Sequence, residues 1–166
     1  MNSSDRDYSQ EYAGLFKVAG TSLHLWLDAA RELKASADVL YEAAMARGEL
    51  DGRFIATCAL TSGYALEVAL KAVKIKRHPE LVSEEGLEKK ALKTHNLVRL
   101  ARDLELDLSE QEQELLKGLT TFVVWAGHYP IPLVPDPRKW QAAYWDQAGY
   151  EAINDLFDRL VKMVEE

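Results

Sequence analysis

The sequence predicts an all-α fold, an antiparallel bundle of amphipathic helices. Leu23, Trp26, Ala30, Leu33, Ala37, Leu40 and Ala44 alternate steps of three and four, and Tyr150, Ile153, Phe157, Leu160 and Val164 do the same. Two seams of one period, on the first and last long helices, suit packing in one antiparallel bundle. No stretch alternates apolar and polar residues at the period of two that marks a half-buried strand. At 166 residues the chain is long enough for one sizeable core. The expected organisation is a helical domain over 21–166 behind a flexible or loosely packed segment, 1–20.

The elements follow in order. Thr21 or Ser22 can cap the first seam, because a hydroxyl accepts from a free amide of the first turn. Gly48 and Asp51-Gly52 end it. Residues 53–76, "RFIATCALTSGYALEVALKAVKIK", are apolar nearly all round and predict the most buried helix. Residues 78–93 mix Pro, Gly and charge without an apolar stripe, and read as a long, mobile loop. "THNLVRLARDLEL" restarts a short helix with Thr94 as its cap. Ser109 and Glu112 stand in capping-box spacing before a helix whose predicted buried face is Leu115, Leu119, Phe122 and Ala126. Gly127 suits a left-handed stop, and Pro130, Pro132, Pro135 and Pro137 forbid continuation. A last helix resumes near 139 or 146.

Composition narrows the function classes. No apolar run approaches the ~20 residues of a membrane span, and "MNSSDRDYSQEY" does not read as a secretory signal. The expectation is a cytoplasmic protein with no membrane partner. Cys58, the single cysteine, allows no internal disulfide and no thiolate cluster, and its apolar surroundings suit a buried core residue rather than a nucleophile. The net charge of −7 argues against a generic nucleic-acid binder. Yet residues 71–102 hold nine Lys/Arg against four Glu, a net of +5 that leaves −12 on the rest. That stretch is either a face for an anionic partner, with Lys89 and Lys90 near its centre, or a solvated surface.

Motifs for chemistry are sparse. His24, His78, His95 and His128 form no i,i+4 pair and no metalloprotease run, and no phosphate loop or nucleophile elbow is present. No metal, cofactor or catalytic residue is therefore expected. Glu67 and Lys71 stand four apart in the most apolar helix, in the order that favours a helical ion pair. They are either a pair at the bundle rim or a polar site between helices. Seven of the 15 aromatics fall between Phe122 and Tyr150, including Trp125, Tyr129, Trp140, Tyr144 and Trp145. Such rigid side chains favour an interface. His128, at the corner with Tyr129, either caps the preceding helix or contacts a ligand.

The order "ALEVALKAV", a basic loop, "KTHNLVRLARDL" and the corner "WAGHYPIP" resembles the bacterial HEPN-like domains over roughly 20–165. The resemblance implies a four- or five-helix up-and-down bundle that commonly dimerises. It also implies an RNA- or nucleotide-handling role, often beside a nucleotidyltransferase partner in a toxin-antitoxin or defence setting. The family's ribonucleases place an Arg and a His with four to six residues between them, the Arg five to seven positions before the His. Here Thr121, Phe122 and Val123 occupy those places before His128, and Glu88, Lys89 and Lys90 before His95. The expected function is a non-catalytic module that binds RNA, a nucleotide or a partner protein through Glu67, Lys71, His95, Trp125, His128, Tyr129, Lys89 and Lys90. The alternative is a metal-independent RNase with a diverged pair, Lys90 and His95.

Overall fold

A computed structural model describes residues 3–46, 55–127 and 147–166. They form an all-α bundle: α1 Ser3–Thr21, α2 Leu23–Ala46, α3 Ile55–Arg77, the one-turn α4 Lys89–Leu92, α5 Leu97–Asp103, α6 Glu110–Thr121 and α7 Gln147–Glu165. The apolar helix of the sequence is the axis of the molecule. α3 packs against α2, α5, α6 and α7, and Leu66, Ala69, Leu70, Ala72 and Val73 are fully buried along it. With neighbours on most sides, the helix keeps only a narrow, less covered stripe of Thr57, Leu60, Thr61, Tyr64 and Val68, so it reads as apolar nearly all round.

The α2 seam divides. Ala30, Ala37 and Ala44, spaced by seven, are buried with Leu27, whereas Leu23, Trp26, Leu33 and Leu40 are only half-buried. The small side chains face α3 and let the two backbones approach, which pushes the larger ones to the flanks. On α7 the predicted seam is buried in full, with Leu156 added. α2 and α7 meet through side chains: Arg31 bonds Glu165, and Tyr150 bonds Asp38.

Four local expectations are corrected. Thr94 is not the cap of α5: Asn96 Oδ1 accepts from Arg99 N at 2.8 Å, while Thr94 Oγ1 accepts from Asn96 N at 3.2 Å and turns the chain toward it. Residues 78–93 are not featureless. A 3-10 turn Pro79–Leu81 leads into β1 Val82–Ser83 and β2 Gly86–Leu87, an antiparallel hairpin pairing Val82 with Leu87, and then into α4. Val82 and Leu92 are its buried anchors, in a small cluster with Ile75 against which Leu81, Leu87 and Ala91 pack, a pattern too irregular for any periodicity to reveal. The buried residues of α6 and its extension are Leu116, Leu119, Phe122 and Val123, with Leu115 and Ala126 half-buried. This shift accompanies a π turn over Phe122–Ala126, in which Gly127 N donates to Phe122 O at 3.0 Å.

Gly127 is therefore not a left-handed stop. Its φ is −80°, and what it needs is room, because a Cβ there would lie 2.8 Å from Leu60. Gly63 serves the same contact from the other side, where a Cβ would lie 2.5 Å from Val123 Cγ2. The Ser109–Glu112 capping box is present, with both bonds made at 3.2 and 2.8 Å.

Candidate functional site

Tyr64, Glu67, Lys71 and Lys74 are spaced three, four and three apart on α3, so they lie in one row along the helix. The Glu67 side chain is only 5% exposed, and burial there requires partners. It has two. Lys71 Nζ donates at 2.6 Å, and His95 Nδ1 lies 3.1 and 3.0 Å from the two carboxylate oxygens. An ionised carboxylate only accepts, so Glu67 makes Nδ1 the protonated nitrogen and fixes the ring. Lys71 cancels the charge of Glu67. The His95 side chain, 57% exposed, then offers Nε2 to solvent, as an acceptor when the ring is neutral and a donor when it is charged.

Why His95 sits there follows from its flanks. Asn96 caps α5, and Leu97 N donates to Thr120 Oγ1 at 3.1 Å, tying the corner to α6. The row continues with Lys74, which donates to Asp103 Oδ2 at 2.8 Å, with Arg99 Nε 4.0 Å from the same oxygen. The hydrogen bond from Lys74 holds the Asp103 carboxyl below its usual range. At the other end, burial first and the Glu67 charge second push the Tyr64 hydroxyl up.

Beside His95 in the chain, Asn96, Val98, Arg99, Arg102, Lys117 and Thr120 line a groove of about 360 Å³ between α5 and α6. Lys117 pairs with Glu114 at 2.5 Å, and Arg99 also donates to Lys90 O at 3.2 Å. Arg102 lines the groove with no hydrogen bond or ion pair of its side chain among the described residues.

Of the residues expected from sequence, Glu67, Lys71 and His95 come together. Lys89 and Lys90 stand exposed on α4, and among the described residues no side-chain bond joins them to that cluster; Lys90 contributes its carbonyl to Arg99. Trp125 is half-buried in the π turn. His128 and Tyr129 lie outside the described residues. Sequence reasoning passed over Tyr64, Asp103, Lys117 and Thr120, although the three-four-three spacing of polar groups in an apolar helix was legible. Among the described residues no cluster of three His, Cys, Asp or Glu could hold a metal ion, and no helix is long and apolar enough to cross a membrane. No family model, curated protein or solved structure matches the chain.

Proposed function

We propose that this chain is a HEPN-like binding module, non-catalytic, that holds a phosphate-bearing ligand, single-stranded RNA or a nucleotide, on the face made by α3, α5 and α6. The observation that carries the proposal is the α5–α6 groove, where Arg99, Arg102 and Lys117 converge next to a histidine braced by a buried carboxylate. Arginine forks suit phosphate oxygens, and Arg102, whose charge acts on Asp103 without a hydrogen bond or ion pair among the described residues, keeps its donors for an arriving anion. Lys71 contributes by cancelling the buried negative charge of Glu67. In this reading the protein works in the cytoplasm, and the family resemblance adds a nucleotidyltransferase-type partner.

A second reading has one observation in its favour. The Glu67–His95 pair leaves Nε2 as a proton acceptor, the arrangement a general base needs. An RNase built on it would use His95 with a groove arginine rather than with Lys90.

The test is anisotropy of a labelled single-stranded RNA, with ATP as competitor, across a range of salt. Each phosphate contact contributes a slope of about −0.7 for a single strand, so three cations predict a slope near −2. Arg102→Glu with Lys117→Glu should weaken binding and flatten that slope, while Lys89→Glu with Lys90→Glu changes it less. A flat response in the wild type refutes the proposal. Metal-independent cleavage that is lost in His95→Ala would select the second reading.

A further inference from the structure

We infer that the α5–α6 groove is a receptor for a phosphate terminus, the di- or triphosphate end of a nucleotide or of an RNA strand, and that it does not read the base. The inference rests on the ligand reading above and narrows it.

The polar groups that the six lining residues have left to offer are donors. Asn96 gives Oδ1 to Arg99 N, which leaves the hydrogens of its amide nitrogen. Thr120 Oγ1 donates to Leu116 O at 2.7 Å and accepts from Leu97 N at 3.1 Å, so it is occupied in both roles. Arg99 commits Nη2 to Lys90 O and holds Nε 4.0 Å from Asp103, while Arg102 makes no hydrogen bond or ion pair among the described residues. Lys117 is paired with Glu114, but the two side chains are 56% and 72% exposed, and a pair so exposed is weak enough to yield to a ligand. A base edge mixes donors with acceptors, whereas an ionised phosphate presents acceptors alone.

The groove also lacks what a strand needs. Sites that follow a single strand supply aromatic rings on which successive bases stack. None of the six lining residues is aromatic, and Val98 is the apolar one among them. The cations are bunched rather than strung along a path. Arg99 and Arg102 stand three apart on α5, which sets their Cβ atoms about 5–6 Å from each other, and Lys117 lines the same groove from α6. A terminal phosphate carries a charge of about −1.5 to −2 at neutral pH, against one for each internal phosphate. Two guanidinium forks and an ammonium on one short groove suit the more highly charged end.

Anisotropy of one RNA sequence labelled at its 3′ end, prepared with either a 5′-triphosphate or a 5′-hydroxyl, tests the inference. The triphosphate form should bind about tenfold tighter or more, because one further charge-assisted contact is worth about that factor. Inorganic tripolyphosphate should displace it, ATP and UTP should do so equally, and adenosine should not. Arg102→Gln, at an exposed position, should erase the preference for the triphosphate end with unchanged helical circular dichroism. RNA bound equally well with either 5′ end, or competition that follows the base, would overturn the inference and leave the ligand reading in place. A triphosphate preference that survives in Arg102→Gln and in Lys117→Gln would overturn the assignment to this groove. Absence of binding by RNA, ATP and tripolyphosphate alike would overturn both readings.

Discussion

Two lysine–carboxylate pairs lie at i,i+4 on neighbouring helices, and they end differently. On α3, Glu67 precedes Lys71, the order the helix dipole favours. On α2, Lys34 precedes Asp38, the less favoured order, and the pair draws on more support. The Tyr150 hydroxyl bonds Asp38, the Tyr150 ring lies 5.2 Å from Lys34 Nζ, and Tyr41 stacks on Tyr150 at 3.6 Å. Each pair is completed by a third group from another element. For Asp38 that group is a buried tyrosine, which joins α2 to α7. For Glu67 it is an exposed histidine, which turns the pair toward solvent. The exposure of the third partner separates a strut from a site, and nothing in the spacing of the first two residues announces it.

The largest expected effect breaks the α3 pair. Glu67→Ala leaves Lys71 charged with only 10% of its side chain exposed, and orphaning a buried charge costs about 3 kcal/mol or more. Replacing both residues with methionine should cost far less, since no charge is then stranded. Urea unfolding of the single and double variants measures the difference. If the double variant loses as much as the single one, Glu67 is held by packing and the comparison with Asp38 fails.

A smaller effect sharpens the contrast. Tyr150→Phe removes one hydrogen bond from the closed pair and should cost about 1 kcal/mol of stability while leaving RNA affinity unchanged. His95→Ala should do the reverse: a stability loss under about 1 kcal/mol, because the ring is mostly exposed, with a clear loss of affinity. Unfolding and anisotropy on the same two proteins read both columns. Equal behaviour of the two variants would erase the distinction between strut and site.

What the sequence made legible was whatever repeats along a helix. The α7 seam, the deep burial of α3, the buried Cys58 and the Ser109 capping box all follow from spacing within one element. Burial also pushes the Cys58 thiol up to about 11, as an apolar setting should. What was not legible depends on chain segments meeting. Glu67 reaches His95 across 28 residues, Tyr150 reaches Asp38 across 112, and the hairpin at Val82 is fixed by one buried residue per strand at most. Gly127 shows the same limit in one residue. Its presence after a helix suggested a backbone conformation, and its real constraint is Leu60 on another helix.

The smallest expected effect concerns the third charged contact of the α3 row, Lys74 with Asp103. Asp103 is held below the ordinary carboxylate range, chiefly by the Lys74 hydrogen bond and then by the charges of Lys74, Arg99 and Arg102 against an opposing desolvation. A carboxyl with a lowered folded value stabilises the fold fully above its unfolded value, near about 4, and loses that contribution as pH falls through the folded value. Asp103→Asn removes the contribution at every pH. The stability gap between wild type and Asp103→Asn should therefore be widest at neutral pH and close as the solution is acidified below pH ~4. Its size should stay under that of the Glu67 variants, because the Asp103 side chain is partly exposed and screened. Thermal unfolding of both proteins at neutral and acid pH measures it. A gap that is constant with pH would mean that Asp103 contributes through shape alone, and that the row loses its charge character beyond Lys71.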